Sequence, residues 1–306
     1  MKQVLFWAPV LLAALAVAYL GVGLFVAATL SAPDRQPVER TPADVGLEYR
    51  EVSFESTDGV PLAAWWIPPA TSEDSSRAAV LVHGWGGNKS ERQVIETAQI
   101  YARAGYGVLL LDLRGHGASG GERRTLGYKE ARDVHGALAW LEEEGFGPEG
   151  VVLHGWSMGG AAVVRSAPGT GVAAVIEEAG YADLPLILQK QLPENSGLPR
   201  FFNPGAFLAA KLFLDFDPWA VRPSEDAARL REEGVPLFVI HSTADETIPF
   251  EHADLFMRAY PEAKLWKLEG YGHAEAYSHP EYEQRLLDFL ESGGASEGGT
   301  ALSDPR

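Results

Sequence analysis

Between residues 78 and 268 the chain repeats one pattern: a short, nearly uninterrupted apolar run, then a longer segment whose apolar residues recur every three to four positions. Residues 78–82, 106–113, 151–153, 172–176, 235–240 and 263–268 are the apolar runs. Residues 91–104, 128–144, 250–259 and 280–290 are the amphipathic segments, the first with Val94, Ile95, Ala98, Ile100 and Tyr101 on one face. A strand that is apolar at every position has to be buried on both faces, and amphipathic helices between such strands supply the two covers. The expected fold class is α/β, a mostly parallel sheet with helices on both sides. Ahead of it, residues 47–56 alternate polar and apolar, Asp58-Gly59 makes a turn, and residues 60–67 answer as a second strand. This hairpin predicts an antiparallel edge to the sheet.

The ends of the chain read differently. Residues 4–30 carry no charge, a run longer than the ~20 residues that cross a bilayer. A buried helix of that length without a polar face is unusual in a soluble domain, so residues 1–30 are expected to form a transmembrane anchor. The alternative is a cleaved signal peptide. Val26-Ala27-Ala28 offers a cleavage site, but the apolar region exceeds the usual length of roughly 7–15 residues. Lys2 precedes the span and Arg35 and Arg40 follow it, which nearly balances the positive-inside count. The short N-terminal tail favours a signal anchor with the rest of the chain outside the cytoplasm. Residues 31–45, rich in Pro, Asp and Arg, read as a linker to a catalytic domain at 46–292, and residues 293–306 as a disordered tail. Within the domain, residues 181–222 are too many for one crossover and form a cap insertion rich in Leu and Phe. The net charge of −17 leaves nothing basic to neutralise phosphate, so no nucleic-acid partner is expected. The absence of cysteine excludes disulfides, thiolate metal sites and a cysteine nucleophile.

Chemistry enters at Gly155-Trp156-Ser157-Met158-Gly159, between an apolar run and a small-residue helix start. A serine with glycines two residues to either side, between strand and helix, describes a nucleophile elbow. The glycines remove side chains where strand and helix nearly touch, and the strained turn lifts the hydroxyl clear of the sheet. With 33 glycines in 306 residues, the pattern arises by chance in about one chain in five to ten, so its partners have to carry the argument. A serine needs a base, and the base an acid that orients it. In an α/β sheet such groups collect at the carboxyl ends of strands. Asp245 follows the run at 235–240, and His273 follows the last run through Gly270-Tyr271-Gly272. The chain order Ser157, Asp245, His273 is that of the elbow arrangement. Asp254 and His279 compete by proximity, but the first falls inside a helix and the second begins one. The oxyanion hole needs two backbone N–H groups. Met158 after the nucleophile supplies one, and Trp85 in the loop His83-Gly84-Trp85-Gly86-Gly87-Asn88 the other. Trp85 and Tyr181 are the expected substrate contacts. Gly115-His116-Gly117-Ala118-Ser119-Gly120 fits a dinucleotide fingerprint, but no helix opens at that loop. Asp112, Arg114 and His116 read instead as braces beside the site. No metal cluster, H-E-x-x-H or phosphate loop is apparent.

The motifs His83-Gly84-Trp85-Gly86-Gly87, Asp112-Leu113-Arg114-Gly115-His116-Gly117, Gly155 to Gly160, Thr243 to Pro249 and Gly270-Tyr271-Gly272-His273 together resemble the α/β-hydrolase superfamily. Within it the chain is similar to membrane-anchored, Bem46-like and serine-aminopeptidase-like hydrolases. The resemblance implies an eight-stranded, mostly parallel sheet and cofactor-free hydrolysis of an ester, thioester or amide. The anchor and the aromatic insertion favour a carboxylic, lipid-like acyl ester as substrate. A peptidase is the alternative, with Glu177, Glu178 or Asp183 placed to meet an α-amino group. A non-catalytic scaffold on the same fold is a third reading.

Overall fold

The computed structural model describes residues 2–70, 76–293 and 302–303, with side chains for 7–70 and 76–293. The chain divides into two compact units, Pro33–Asp183 with Arg222–Arg306, and Met1–Ala32 with Leu184–Val221.

The first unit holds the sheet. Its strands are β1 (Arg50–Glu55), β2 (Pro61–Ile67), β3 (Ala78–Val82), β4 (Gly107–Leu111), β5 (Val151–Trp156), β6 (Ala174–Glu178), β7 (Leu237–Ser242) and β8 (Lys264–Leu268), in the order β1-β2-β4-β3-β5-β6-β7-β8. β1 and β2 form the expected hairpin, and β2 runs antiparallel to β4; every later pairing is parallel. Helices α2 (Arg92–Arg103), α3 (Glu130–Glu143), α4 (Met158–Ser166), α7 (Pro223–Glu233), α8 (Glu251–Ala259) and α9 (Tyr282–Glu291) alternate with the strands. β3, β4, β5, β6 and β7 are buried at every position, as all-apolar runs require.

Three features depart from the sequence reading. β5 continues through His154 and Gly155 to Trp156, and β6 through Glu177 and Glu178; both strands bury polar groups at their carboxyl ends that the apolar pattern does not mark. Helix α7 stands where no helix was expected, because its buried face consists only of Pro223, Ala227 and Leu230. Most of the tail expected at 293–306 lies outside the described residues, but Leu302–Ser303 pairs in parallel with Trp266 and Lys267.

The chain leaves β3 for β4 on one side and returns to β5 on the other. The carboxyl ends of β3 and β5 are therefore the point where the sheet's winding reverses, the place at which open α/β sheets bind ligands. Register sharpens this, since Val82 pairs with Gly155. The loop that begins at His83 thus starts beside the turn that holds Ser157.

The second unit is helical: α1 (Lys2–Leu30), α5 (Leu184–Ser196) and α6 (Asn203–Phe213). The insertion expected at 181–222 groups with the N-terminal helix at Leu184–Val221, while Tyr181 belongs to the sheet unit.

Candidate active site

Ser157 sits between β5 and α4 with φ 54° and ψ −117°, a left-handed conformation that a residue with a Cβ adopts only where its surroundings enforce it. The enforcing contacts are backbone. A Cβ on Gly155 would lie 2.3 Å from the Gly159 carbonyl oxygen, and one on Gly159 would lie 2.1 Å from the Val82 oxygen. Strand, turn and helix can be this close only with glycine at both positions. The Ser157 N–H donates to the Glu178 carbonyl at 2.8 Å, which ties the turn to the next strand. Met158 opens α4, so its N–H is among those a helix leaves without an intrahelical acceptor.

Asp245 and His273 come from the ends of β7 and β8. Ser242 pairs with Leu268, so both loops leave the sheet at one level. The Ser242 hydroxyl fastens them by donating to the Tyr271 carbonyl at 2.5 Å. Asp245 Oδ1 accepts the N–H groups of Thr247 and Ile248 at 2.9 and 2.8 Å. Its Oδ2 is then aimed at His273, whose Nδ1 lies 2.7 Å away. The Asp245 side chain is fully buried and that of His273 a quarter exposed, so the imidazole is held from behind and reachable from the cavity. Asp254 is exposed on α8 and the His279 ring packs on Trp266; neither borders the cavity at Ser157.

Ser157 and His273 both line a cavity of about 300 Å³, together with Gly84, Trp85, Glu91 and Tyr277. Trp85 is 44 % exposed, and the Arg124 guanidinium lies over its ring. Tyr181, expected to contact substrate, is buried and is not among the lining residues. It lies three residues beyond the end of β6 at Glu178.

The expected braces are in place. Asp112 accepts from the Lys89 N–H and ammonium and from the Ala118 N–H. Arg114 bonds Asp133, Asp58 and Ser56. His116 Nε2 accepts the Gly86 N–H at 3.4 Å, and His83 Nε2 accepts the Leu113 N–H at 3.1 Å. Burial drives both imidazoles below their usual range, His116 to about 2, so each stays neutral and able to accept. These bonds hold the loop after β3 against the loop after β4.

Glu91 is the residue that sequence reasoning missed. It precedes α2, lines the cavity, and occupies the room left by Gly87, where a Cβ would be 2.3 Å from its carboxyl carbon. One of its oxygens is buried without a hydrogen-bond partner. Burial raises its pKa to about 7, against the opposing pull of the Gly84 N–H, Gln93 and His273. An acid at the first position of an amphipathic segment reads as ordinary helix-start chemistry; only the fold shows it facing the serine.

An open α/β sheet with a strained serine after β5 and an Asp–His pair after β7 and β8 defines a class of hydrolase. The chain belongs to the alpha/beta hydrolase family, whose model matches residues 79–284, and is accordingly a hydrolase. Among curated proteins it is 26 % identical over 251 residues to the uncharacterized protein YfhR of Escherichia coli O157:H7, covering 78 % of this chain and 79 % of that one. It is 30 % identical over 192 residues to human alpha/beta hydrolase domain-containing protein 17B, covering 62 % and 58 %. Among solved structures, the Pyrococcus furiosus esterase Pf2001 superposes with a TM-score of 0.69 at 22 % identity, over 85 % of this chain and 98 % of that one; this likeness concerns the fold.

Proposed function

We propose that the protein is a membrane-anchored serine hydrolase that cleaves carboxylic acyl esters through an acyl-enzyme. The observation that carries the reading is the 2.7 Å Asp245–His273 contact opening onto the same cavity as the strained Ser157. His273, oriented by Asp245, takes the Ser157 proton as Oγ attacks the acyl carbonyl. The negative charge that forms on the carbonyl oxygen is met by the N–H groups of Met158 and Trp85. His273 passes the proton to the leaving alkoxide, and a water then repeats the sequence on the acyl-serine. Asp245 keeps its charge throughout and stabilises the imidazolium.

Trp7–Leu30, 24 residues containing an 18-residue stretch of mean hydropathy 2.5, is read as a single-pass anchor with the hydrolase outside the cytoplasm. It would hold the enzyme where lipid-like acyl esters are found.

A peptidase or aminoacyl hydrolase is the second reading, with a changed basis. Glu177 and Glu178 are buried in the sheet. Glu177 accepts from the Gly180 N–H and Glu178 from Tyr282, so neither is placed to meet an α-amino group. Asp183 pairs with Arg222 at 3.8 Å. Glu91, at the cavity itself, is the acid that favours a cationic substrate. Profiling purified enzyme with p-nitrophenyl esters of increasing chain length against aminoacyl p-nitroanilides separates the two. Activity on esters that disappears in Ser157→Ala supports the first reading, and preference for the anilides supports the second. Activity that survives Ser157→Ala rejects both.

A further inference from the structure

We propose that the insertion is a second membrane element: helix α6 lies in the bilayer beside the anchor and presents its outer face to lipid. The inference rests on reading α1 as a membrane span.

Helices α1 and α6 meet through small residues. Gly23 is so close to α6 that a Cβ on it would sit 2.4 Å from the Gly205 carbonyl carbon. Each helix carries a glycine followed four residues later by alanine, Gly23 with Ala27 and Gly205 with Ala209. Small residues at this spacing let backbones approach closely, which is how helices associate where lipid removes the hydrophobic drive. The crossing is also at membrane depth. Gly23 lies about 24 Å beyond Trp7 along the axis at ~1.5 Å per residue, inside a hydrocarbon layer of ~30 Å.

Backbone at that depth has to find its partners within the protein, and the first turn of α6 does. Pro204 has no N–H to place, and the Gly205 N–H donates to the Tyr19 hydroxyl at 3.0 Å. That hydroxyl donates in turn to the Phe201 carbonyl at 2.7 Å. In water these groups need no tyrosine from another helix.

The remaining face of α6 has the composition of a lipid surface. Leu208, Leu212 and Phe213 are 39, 59 and 58 % exposed, and Phe201 just before the helix is 71 % exposed. Lys211, the one charged residue of α6, has its ammonium 2.6 Å from Asp217. In the sheet unit, by contrast, Val38 and Trp85 are the large apolar side chains exposed among the described residues. The apolar surface is thus gathered on the unit that contains the anchor and is continuous in character with it.

The absence of native cysteine makes the test direct. Leu208→Cys, Leu212→Cys and Phe213→Cys are prepared in the full chain with Val17→Cys on the anchor and Glu143→Cys on exposed α3 as references. Each is labelled with an environment-sensitive fluorophore and reconstituted into phosphatidylcholine vesicles. The expected result is blue-shifted emission at 208, 212 and 213, quenching by doxyl-labelled lipid comparable to Val17, and loss of the iodide quenching seen at Glu143. Lipid quenching at Val17 with iodide quenching at the three insertion sites overturns the inference and leaves the anchor standing. Iodide quenching at Val17 as well removes the anchor reading and the inference with it. Shielding of the three sites from both quenchers means that protein covers the face, which also overturns it.

Discussion

Glu91→Gln offers a perturbation whose size follows from the site. The Glu91 carboxyl titrates at about 7 in the folded protein against a usual value of 4.5, chiefly because burial penalises its charged form. Between those two values the folded chain keeps a proton that the unfolded chain has lost, so stability falls as pH rises. Below 4.5 both states are protonated and above about 7 both are ionised, and the slope from this group vanishes. At ~1.4 kcal/mol per pH unit, the window is worth about 3 kcal/mol of lost stability. Glutamine keeps the shape and removes the titration. The assay is urea unfolding in detergent micelles, followed by tryptophan fluorescence at pH 5 and pH 8, for the wild type and Glu91→Gln. Other buried acids contribute to both proteins and cancel in the comparison. The wild type is expected to lose about 2.5 kcal/mol more than the variant between the two pH values, since part of the window lies below pH 5. Equal losses would show that burial does not penalise the charged form of Glu91.

Other groups give further expectations. Asp245→Asn should keep the fold and lower ester turnover by roughly 10³–10⁴-fold, because the amide cannot stabilise the imidazolium; steady-state kinetics checks this. Gly159→Ala places a Cβ 2.1 Å from the Val82 oxygen and should cost about 1–3 kcal/mol or more in urea unfolding, with loss of turnover as Ser157 shifts. Arg114→Ala leaves Asp133, which is 0 % exposed, without its cation and should destabilise by about 3–5 kcal/mol. Unchanged stability in that variant would mean that the buried network does not hold the β4 loop. Glu177, raised to about 8 by burial, should destabilise the protein as pH rises from 4.5, and Glu177→Gln should flatten that part of the profile.

Much of this architecture is legible in the chain because burial on both faces leaves a mark at every position. β3 and β4 announce themselves as unbroken apolar runs, and the glycines around Ser157 are dictated by backbone contacts that admit no other residue. Asp245 and His273 follow from strand ends and chain order alone. What stayed hidden depends on three-dimensional company. His154, Glu177 and Glu178 are buried polar groups whose partners, such as Tyr282 for Glu178, come from distant parts of the chain. Glu91 has a local pattern no different from that of a solvated helix start. Tyr181 stands at the head of the insertion in the sequence, yet it lies in the sheet unit, buried and apart from the residues that line the cavity. The pairing of the insertion with α1 turns on Gly23 and Gly205, two glycines 182 positions apart with no local signature.

The central claim is that Ser157 is the nucleophile and His273 its base. Intact-mass and peptide analysis after exposure to a fluorophosphonate tests it most directly. One adduct is expected, on the peptide that carries Ser157, abolished in Ser157→Ala and strongly slowed in His273→Ala. An adduct on another residue, or full ester hydrolysis by an enzyme that takes up no adduct, would contradict the account.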